Sequence, residues 1–183
     1  MQFGERKPML TFPSEKRAMV LLNERVVTIP ASEEEGMERE EQTVYEYDGM
    51  FLDVEMPTEA AVLEQVKRMK IAGLMAYDSS DSVNSFLLNG RKMWLDKATR
   101  VGLSLRFAAE QESGASDTTL WMGGSPYSLN ITQAVAMLNA TERYASQCYD
   151  RTQKHLASID LLGSIADVVA YDFTTGYPEK PVF

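Results

Sequence analysis

Hydrophobic and polar positions alternate along the first third of the chain. Three segments alternate or run apolar, and proline, serine and acidic residues separate them: Pro8–Phe12, Ala18–Ile29 and Thr43–Val54. Alternation with a period of two is typical of β-strands. We therefore predict three or four strands in a small antiparallel sheet over residues 1–56.

A helical period replaces this alternation after residue 56. Thr58 is a candidate N-cap because its hydroxyl can accept a hydrogen bond from the first helical turn. The pattern predicts a helix from Thr58 to about Ile71, within a linking segment of residues 57–75. The positions at helical spacing are Val62, Val66, Met69 and Gly73. A polar hinge, residues 77–82, follows.

Residues 86–105 and 120–139 repeat one pattern, which predicts a hairpin followed by a helix in each copy. Asn89-Gly90 and Gly123-Gly124 tolerate the positive φ angles of a two-residue turn. Such turns place alternate residues on opposite faces. The predicted inner residues are Phe86, Leu88, Met93, Leu95, Leu120, Met122, Tyr127 and Leu129. The predicted outer residues are Ser85, Lys92, Trp94, Thr119, Trp121, Pro126 and Ser128.

Candidate N-caps fix where the carboxyl-terminal helices begin. Asp96 precedes a predicted helix from Lys97 to Gln111, and Asn130 precedes one that ends near Leu162. Ser164 precedes a short helix, Ile165 to Tyr171. The first of these helices has an apolar stripe formed by Ala98, Val101, Leu105 and Ala108. The second has one formed by Val135, Leu138, Ala145, Tyr149, Thr152, Leu156 and Ile159.

These elements predict an α+β protein in three parts. Residues 1–56 form a small antiparallel β-rich module and residues 57–75 a linking helix. Residues 76–183 form a duplicated β-hairpin–helix (ββα-ββα) module with a short carboxyl-terminal helix and a tail.

The chain is acidic, with a formal net charge of −9 and an isoelectric point near 4.7. Because nucleic-acid affinity depends largely on Lys and Arg that displace counterions, we expect no nucleic-acid partner. Lys67, Arg68 and Lys70 share a helix with acidic residues and are predicted to be solvated. The acidic run of residues 33–41 is predicted to be a flexible loop, and attraction of a cation or basic partner is the alternative.

The sequence shows no apolar segment of membrane-spanning length and no charged-then-apolar leader, so we expect no membrane association and no secretion. Cys148 is the single cysteine. Its helical position predicts core packing and is consistent with a reducing cytoplasm.

Candidate catalytic groups are sparse. His155 is the single histidine and has no second residue at metal-ligand or triad spacing, which predicts a helix-surface or partly buried side chain. Asp78 and Asp81 could share a cation, but aspartates that cap backbone amides in a serine-rich turn need none. Gly123-Gly124 precedes a strand, whereas a phosphate loop precedes a helix. We predict no catalytic, cofactor-binding or metal-binding residue.

Four residues are candidates for partner binding: Trp94, Trp121, Val182 and Phe183. Both tryptophans fall on the outer hairpin faces, where exposed aromatic rings could dominate an interface. Burial of both rings under the long helix is the simpler interpretation. The tail has two prolines, which make it extended or irregular, and it either packs back on the body or binds a neighbour.

Four motifs of the carboxyl-terminal part resemble a domain family of unknown function. They are AYDSSDSVNSF (76–86), MWLDKATRVGL (93–103), TLW (119–121) and YDFTTGYPEK (171–180). That family is found in tailed-bacteriophage and prophage proteins of the tail or tail-fibre region, and the Bacteroides-type members are the most similar. The resemblance covers about residues 76–183 and brings no catalytic residues with it.

This resemblance implies a non-enzymatic virion structural protein of the tail or fibre region, folded in the bacterial host cytoplasm. It would act as an adaptor by binding other phage structural proteins, such as fibre or baseplate components, in multiple copies of a symmetric assembly. A tail-fibre assembly chaperone is one alternative. A glycan hydrolase with an unrecognised carboxylate pair is another.

Overall fold

The computed structural model describes residues 1–34 and 37–183 and has the predicted mixed α+β architecture. The strands are β1 Gln2–Phe3, β2 Met9–Phe12, β3 Arg17–Ile29, β4 Ser32–Glu34, β5 Met37–Arg39, β6 Gln42–Asp53, β7 Phe86–Leu88, β8 Arg91–Met93, β9 Asp117–Met122 and β10 Ser125–Asn130. The helices are α1 Glu59–Asp78, α2 Lys97–Glu112, α3 Ile131–Leu161 and α4 Ile165–Ala170.

Contacts along the chain divide it into two compact units. The first contains Met1–Gly73 and Ala157–Asp172, and the second contains Leu74–Leu156 and Phe173–Phe183. The three predicted segments differ from these units because Ala157–Asp172, which includes α4, belongs with the amino-terminal sheet.

A four-stranded antiparallel sheet with the order β1-β6-β3-β2 forms the centre of the first unit. The prediction of three or four antiparallel strands is confirmed. Buried residues lie on both faces of the sheet, because successive strand residues point to opposite sides. Met19 and Leu21 pack with Tyr47 on one side. Ala18 and Val20 point to the other, where they form a cluster with Leu52, Val62, Val66, Ile165 and Val168.

Part of the acidic run forms two short paired strands, so the prediction of a flexible loop is wrong for residues 33–34 and 37–39. Ser32–Glu34 pairs antiparallel with Met37–Arg39. Strands β3 and β6 already pair as far as Ile29 and Gln42, and continued pairing satisfies more backbone donors and acceptors. Glu35 and Gly36, at the centre of the predicted loop, lie outside the described residues.

Helix α1 begins at the predicted cap but extends beyond its predicted end. The Ala61 N–H donates to Thr58 Oγ1 at 3.3 Å, which confirms the cap. The helix reaches Asp78, so it includes the first residues of the predicted hinge. Val62 and Val66 are buried, but Met69 is 42% exposed, and the predicted stripe is wrong at that position.

Two basic residues of α1 bind backbone carbonyls of the same unit, which corrects their prediction as solvated charge. Lys67 Nζ donates to the Asp160 carbonyl at 2.6 Å. Lys70 Nζ donates to the carbonyls of Val169 at 2.8 Å and Tyr171 at 3.0 Å, at the end of α4. Burial lowers the pKa of Lys70. The carbonyls at a helix end favour a cation there.

Both predicted hairpins of the second unit are confirmed. Phe86 pairs with Met93 across one turn, and Leu120 pairs with Tyr127 across the other. The turn residues Asn89, Gly90, Gly123 and Gly124 have φ values of 50°, 75°, 55° and 77°. Positive φ at both central residues matches the twist of paired strands.

The predicted N-caps of the second unit are also confirmed. The Thr99 N–H donates to Asp96 Oδ1 at 2.7 Å, and the Thr132 N–H donates to Asn130 Oδ1 at 2.9 Å. Ser164 caps α4 of the first unit in the same way, through the Asp167 N–H at 3.1 Å.

One core joins the two hairpin–helix halves of the second unit. Its buried members are Phe86, Leu88, Leu95, Phe107, Leu120, Ala134, Met137 and Leu138, and Met93, Tyr127 and Leu129 pack against it. The predicted inner faces therefore meet in a shared interior. The side chain of Met122 lies outside the described set.

Helix α3 buries a more polar stripe than predicted. Leu138, Thr152 and Ile159 are buried as expected, but Tyr149 is 64% exposed and the neighbouring Cys148 is buried instead. The other buried polar residues on this helix are Thr141 and His155. Polar side chains can be buried where the fold supplies hydrogen-bond partners, and the spacing of hydrophobic residues does not reveal those partners.

Candidate interaction surface

Trp94 is half-buried, and α3 covers it as predicted. Its ring meets the Tyr144 ring edge-on, with centroids 6.3 Å apart. On the other side the Arg100 guanidinium lies 5.4 Å from the Trp94 centroid. Aromatic and cation–π contacts of this kind stabilise a fold. We therefore assign Trp94 to the interior of the second unit.

Arg100 is a structural residue that sequence reasoning missed. Its side chain is 7% exposed, Nη1 donates to the Leu95 carbonyl at 2.6 Å, and Nε donates to the Glu142 carboxylate of α3. A buried guanidinium is stable only when its donors are satisfied. In the sequence, Arg100 is marked only by its position four residues after the Asp96 cap, and that position does not predict a buried side chain.

The tail packs back on the first hairpin. The Leu87 N–H donates to the Pro181 carbonyl at 3.0 Å, and the Phe183 N–H donates to the Leu87 carbonyl at 2.8 Å. Phe183 meets Phe86 edge-on with centroids 5.6 Å apart, whereas Val182 is 70% exposed. Phe183 therefore completes the core, and Val182 is the tail residue that presents apolar surface.

Trp121 is 71% exposed, so the prediction of burial under the long helix is wrong for this residue. It lies on β9 opposite Pro126 of β10, on the outer face of the second hairpin. The inner face of that hairpin is already in the core through Leu120, which is 2% exposed. The alternation of the strand forces Trp121 outward.

The predicted apolar stripe of α2 faces solvent, although the apolar stripe of an amphipathic helix usually faces the core. Val101 is 53% exposed and Leu105 is 70% exposed. The buried side of α2 instead contains Arg100 and Phe107. We call the exposed set the α2 outer face. It consists of Ala98, Val101, Gly102, Leu105, Ala108 and Ala109.

A chain of polar groups anchors the segment before the tail. Thr152 Oγ1 donates to Asp78 Oδ1 at 2.6 Å and lies 2.9 Å from the Tyr177 hydroxyl. A threonine hydroxyl has one proton, so Tyr177 must donate to Thr152. Burial raises the pKa of Tyr177, which keeps that proton in place. Asp81 pairs with Lys92 at 2.8 Å, and the Ser82 N–H of the turn donates to Ser80 Oγ at 3.1 Å, so a serine caps this amide where an aspartate was predicted.

His155 is 1% exposed, not at the surface or partly buried as predicted. Its ring stacks on Tyr177 with centroids 5.8 Å apart, and its Nε2 lies 3.0 Å from the Thr175 carbonyl. A carbonyl only accepts, so Nε2 donates. Cys148 is buried as predicted, and burial raises the pKa of its thiol, which disfavours the nucleophilic thiolate.

Two surface depressions contain one carboxylate each. The first, about 500 Å³, lies in the first unit between the sheet and α4, and its Glu24 pairs with Arg6 at 3.0 Å and accepts from Tyr47 at 2.8 Å. The second, about 320 Å³, lies between α2 and α3 and contains Glu142, which Arg100 binds. Neither brings together the two carboxylates of a glycosidase.

Among the described residues, no group of three or more His, Cys, Asp and Glu side chains is placed to hold a metal ion. Within the same part of the chain, no helix combines the length and the apolar character needed to cross a membrane.

No protein-family model, curated protein or solved structure matches this chain. The resemblance to a phage tail family therefore stays a prediction. The candidate interaction surface rests on the geometry of the second unit alone. Of the four predicted binding residues, Trp121 and Val182 are exposed, while Trp94 and Phe183 pack against the shared core.

Proposed function

We propose that this chain is a non-enzymatic adaptor that binds other proteins through the exposed faces of its second unit. The exposure of Trp121 carries the proposal. Tryptophan is enriched among the residues that dominate binding energy at protein interfaces, and the ring of Trp121 is presented to solvent on a paired strand.

The second hairpin holds Trp121 in a defined position. Strands β9 and β10 pair over their whole length, and Leu120 anchors the hairpin in the core. Arg106 of α2 also donates to Thr118 Oγ1 at 3.0 Å. A side chain on a rigid strand loses little conformational entropy on binding, so more of its contact energy appears as affinity.

The resemblance of residues 76–183 suggests where such an adaptor acts. We propose that it is a structural protein of the tail or fibre region of a phage virion. Its partners would be other structural proteins of that particle, with fibre or baseplate components as the first candidates. Repeated copies around a symmetric particle would let weak contacts add.

Mass spectrometry of purified virions tests both parts of this proposal. We expect the wild-type chain at stoichiometric abundance. Trp121→Ala should reduce incorporation roughly tenfold or more, because truncation of such an anchor typically costs at least about 2 kcal/mol. Tyr149→Ala is the matched control, since Tyr149 is also an exposed aromatic residue of the second unit, at 64%.

The outcomes separate the alternatives. Absence of the wild-type chain from virions would contradict a structural role. If a fibre protein then required this chain for its solubility, the assembly-chaperone hypothesis would replace the structural role. Equal incorporation of Trp121→Ala and the wild type would remove Trp121 as the anchor.

A further inference from the structure

The α2 outer face is an uncharged surface on a well-formed helix. Each of its residues lies three or four positions from another, which places them side by side along the helix. Ala98, Val101, Leu105 and Ala108 have the spacing of a coiled-coil seam. A seam of this kind is normally covered by another helix.

The charges at the two ends of α2 indicate which kind of helix can cover the seam. Three exposed charged residues border the seam: Lys97 at the first position of α2, Glu112 at the last, and Arg106 beside Gly102. Arg106 is already paired with Glu110 of the same helix at 2.7 Å, so Lys97 and Glu112 are the charges left to meet a second helix. A second α2 in antiparallel orientation would place each Lys97 near the Glu112 of the other copy, and the helix dipoles would also oppose each other. A parallel copy would bring like charges together at both ends.

The shape of the face is also self-complementary. Leu105 projects into solvent, and Gly102 leaves open space, since a Cβ at that position would meet no atom within 4 Å. In an antiparallel pair the Leu105 side chain of each copy would enter the notch at Gly102 of the other. Ala98 would lie against Ala108 and Ala109, whose small side chains allow helices to approach closely.

We propose that the α2 outer face binds the same face of a second copy of this chain, as an antiparallel helix pair about a two-fold axis. A helix of 16 residues is about 24 Å long. One helix pair is therefore smaller than a standard interface of about 1,200–2,000 Å², and the dimer is weak in isolation. The proposal does not depend on Trp121 or on a virion, because its test uses the isolated chain.

Sedimentation velocity over a range of concentrations tests self-association. The wild-type chain should shift reversibly from monomer to dimer at roughly 0.1–1 mM or below, and Leu105→Asp should remain monomeric. Leu161→Asp is the matched control, because Leu161 is 83% exposed on α3, and it should dimerise like the wild type. A wild-type monomer throughout, or dimers of Leu105→Asp, would overturn the proposal.

Disulfide trapping tests the orientation. The native Cys148 is buried, so a new surface cysteine reports its own neighbours. Leu105→Cys lies near the two-fold axis and should form a covalent dimer under mild oxidation. Ala98→Cys should not, because an antiparallel partner separates the two copies of that residue by about 15 Å along the axis. Crosslinking of both variants, or of neither, would contradict the antiparallel pair.

Discussion

At the scale of single residues, Thr152 links two elements of the second unit through one hydroxyl. It donates to Asp78 at the end of α1 and accepts from Tyr177 of the carboxyl-terminal segment. Thr152 is 1% exposed. The loss of this hydroxyl would leave two polar groups without a partner in a region that water reaches poorly, and such groups are costly.

Thr152→Val should therefore lower the free energy of unfolding by about 1–3 kcal/mol, although the side chain keeps nearly the same shape. Thr132→Val, an exposed change on the same helix, should alter it by less than about 0.5 kcal/mol. Urea denaturation measures both. Equal stabilities of the two variants would show that the Asp78–Thr152–Tyr177 chain is not stabilising.

At the scale of elements, each helix of the second unit starts where a capping side chain binds its first turn. The hydrogen bond from the Thr99 N–H lowers the pKa of Asp96 below its ordinary value of 3.8. A carboxylate with a lowered pKa stabilises the folded state above that ordinary value. The stabilisation is lost as the pH falls through the folded-state pKa.

Asp96→Asn separates the cap from its charge. Asparagine is also a good N-cap, so the variant should fold normally at neutral pH. Because it cannot titrate, its stability should fall less steeply than that of the wild type below about pH 4. Denaturation curves recorded at several pH values measure this difference. Parallel pH profiles would contradict the role of the Asp96 carboxylate.

Local chemistry made the turns and caps predictable. Asn89-Gly90 and Gly123-Gly124 tolerate positive φ, and Asp96 and Asn130 carry acceptors that a first helical turn needs. These preferences act within a few residues. Most strands and helices could therefore be placed from sequence, except for β1, the β4–β5 pair and the extra turns of α1.

The buried side of α2 could not be predicted from sequence in the same way. Ala98, Val101 and Leu105 form the more apolar stripe, yet α2 buries the side that contains Arg100 and Phe107. Arg100 is tolerated there because the Leu95 carbonyl and the Glu142 carboxylate accept its hydrogen bonds and the Trp94 ring makes a cation–π contact with it. Two of these residues come before α2 and one lies on α3, so only the folded chain brings them to it. The exposure of Trp121, at 71%, was missed for a related reason, since the part of the chain that the structure describes leaves its side of the hairpin open to solvent.

At the scale of the whole molecule, the second unit depends on its own carboxyl-terminal segment. Phe183 packs on Phe86, and the Asn89 N–H donates to the Phe183 carbonyl at 2.9 Å. Phe183→Ala should lower the free energy of unfolding by about 1–2 kcal/mol, because a half-buried ring loses part of its burial. It should also speed hydrogen exchange of the Leu87 and Asn89 amides.

Val182→Ala is the matched control for that prediction. Val182 is the neighbouring residue and is 70% exposed, so its truncation should leave both amides protected. If exchange at Leu87 and Asn89 were the same in Phe183→Ala and in the wild type, the tail would not be held as described.

Quenching of the two tryptophans most directly tests the claim that one lies within the second unit and the other is presented for binding. Trp94→Phe leaves Trp121 as the single tryptophan, and Trp121→Phe leaves Trp94, so excitation at about 295 nm reports one indole ring in each variant. We predict that acrylamide quenches Trp121 almost as strongly as free tryptophan and Trp94 several-fold less. Equal quenching of the two variants would contradict both assignments and remove the surface on which the proposed function depends.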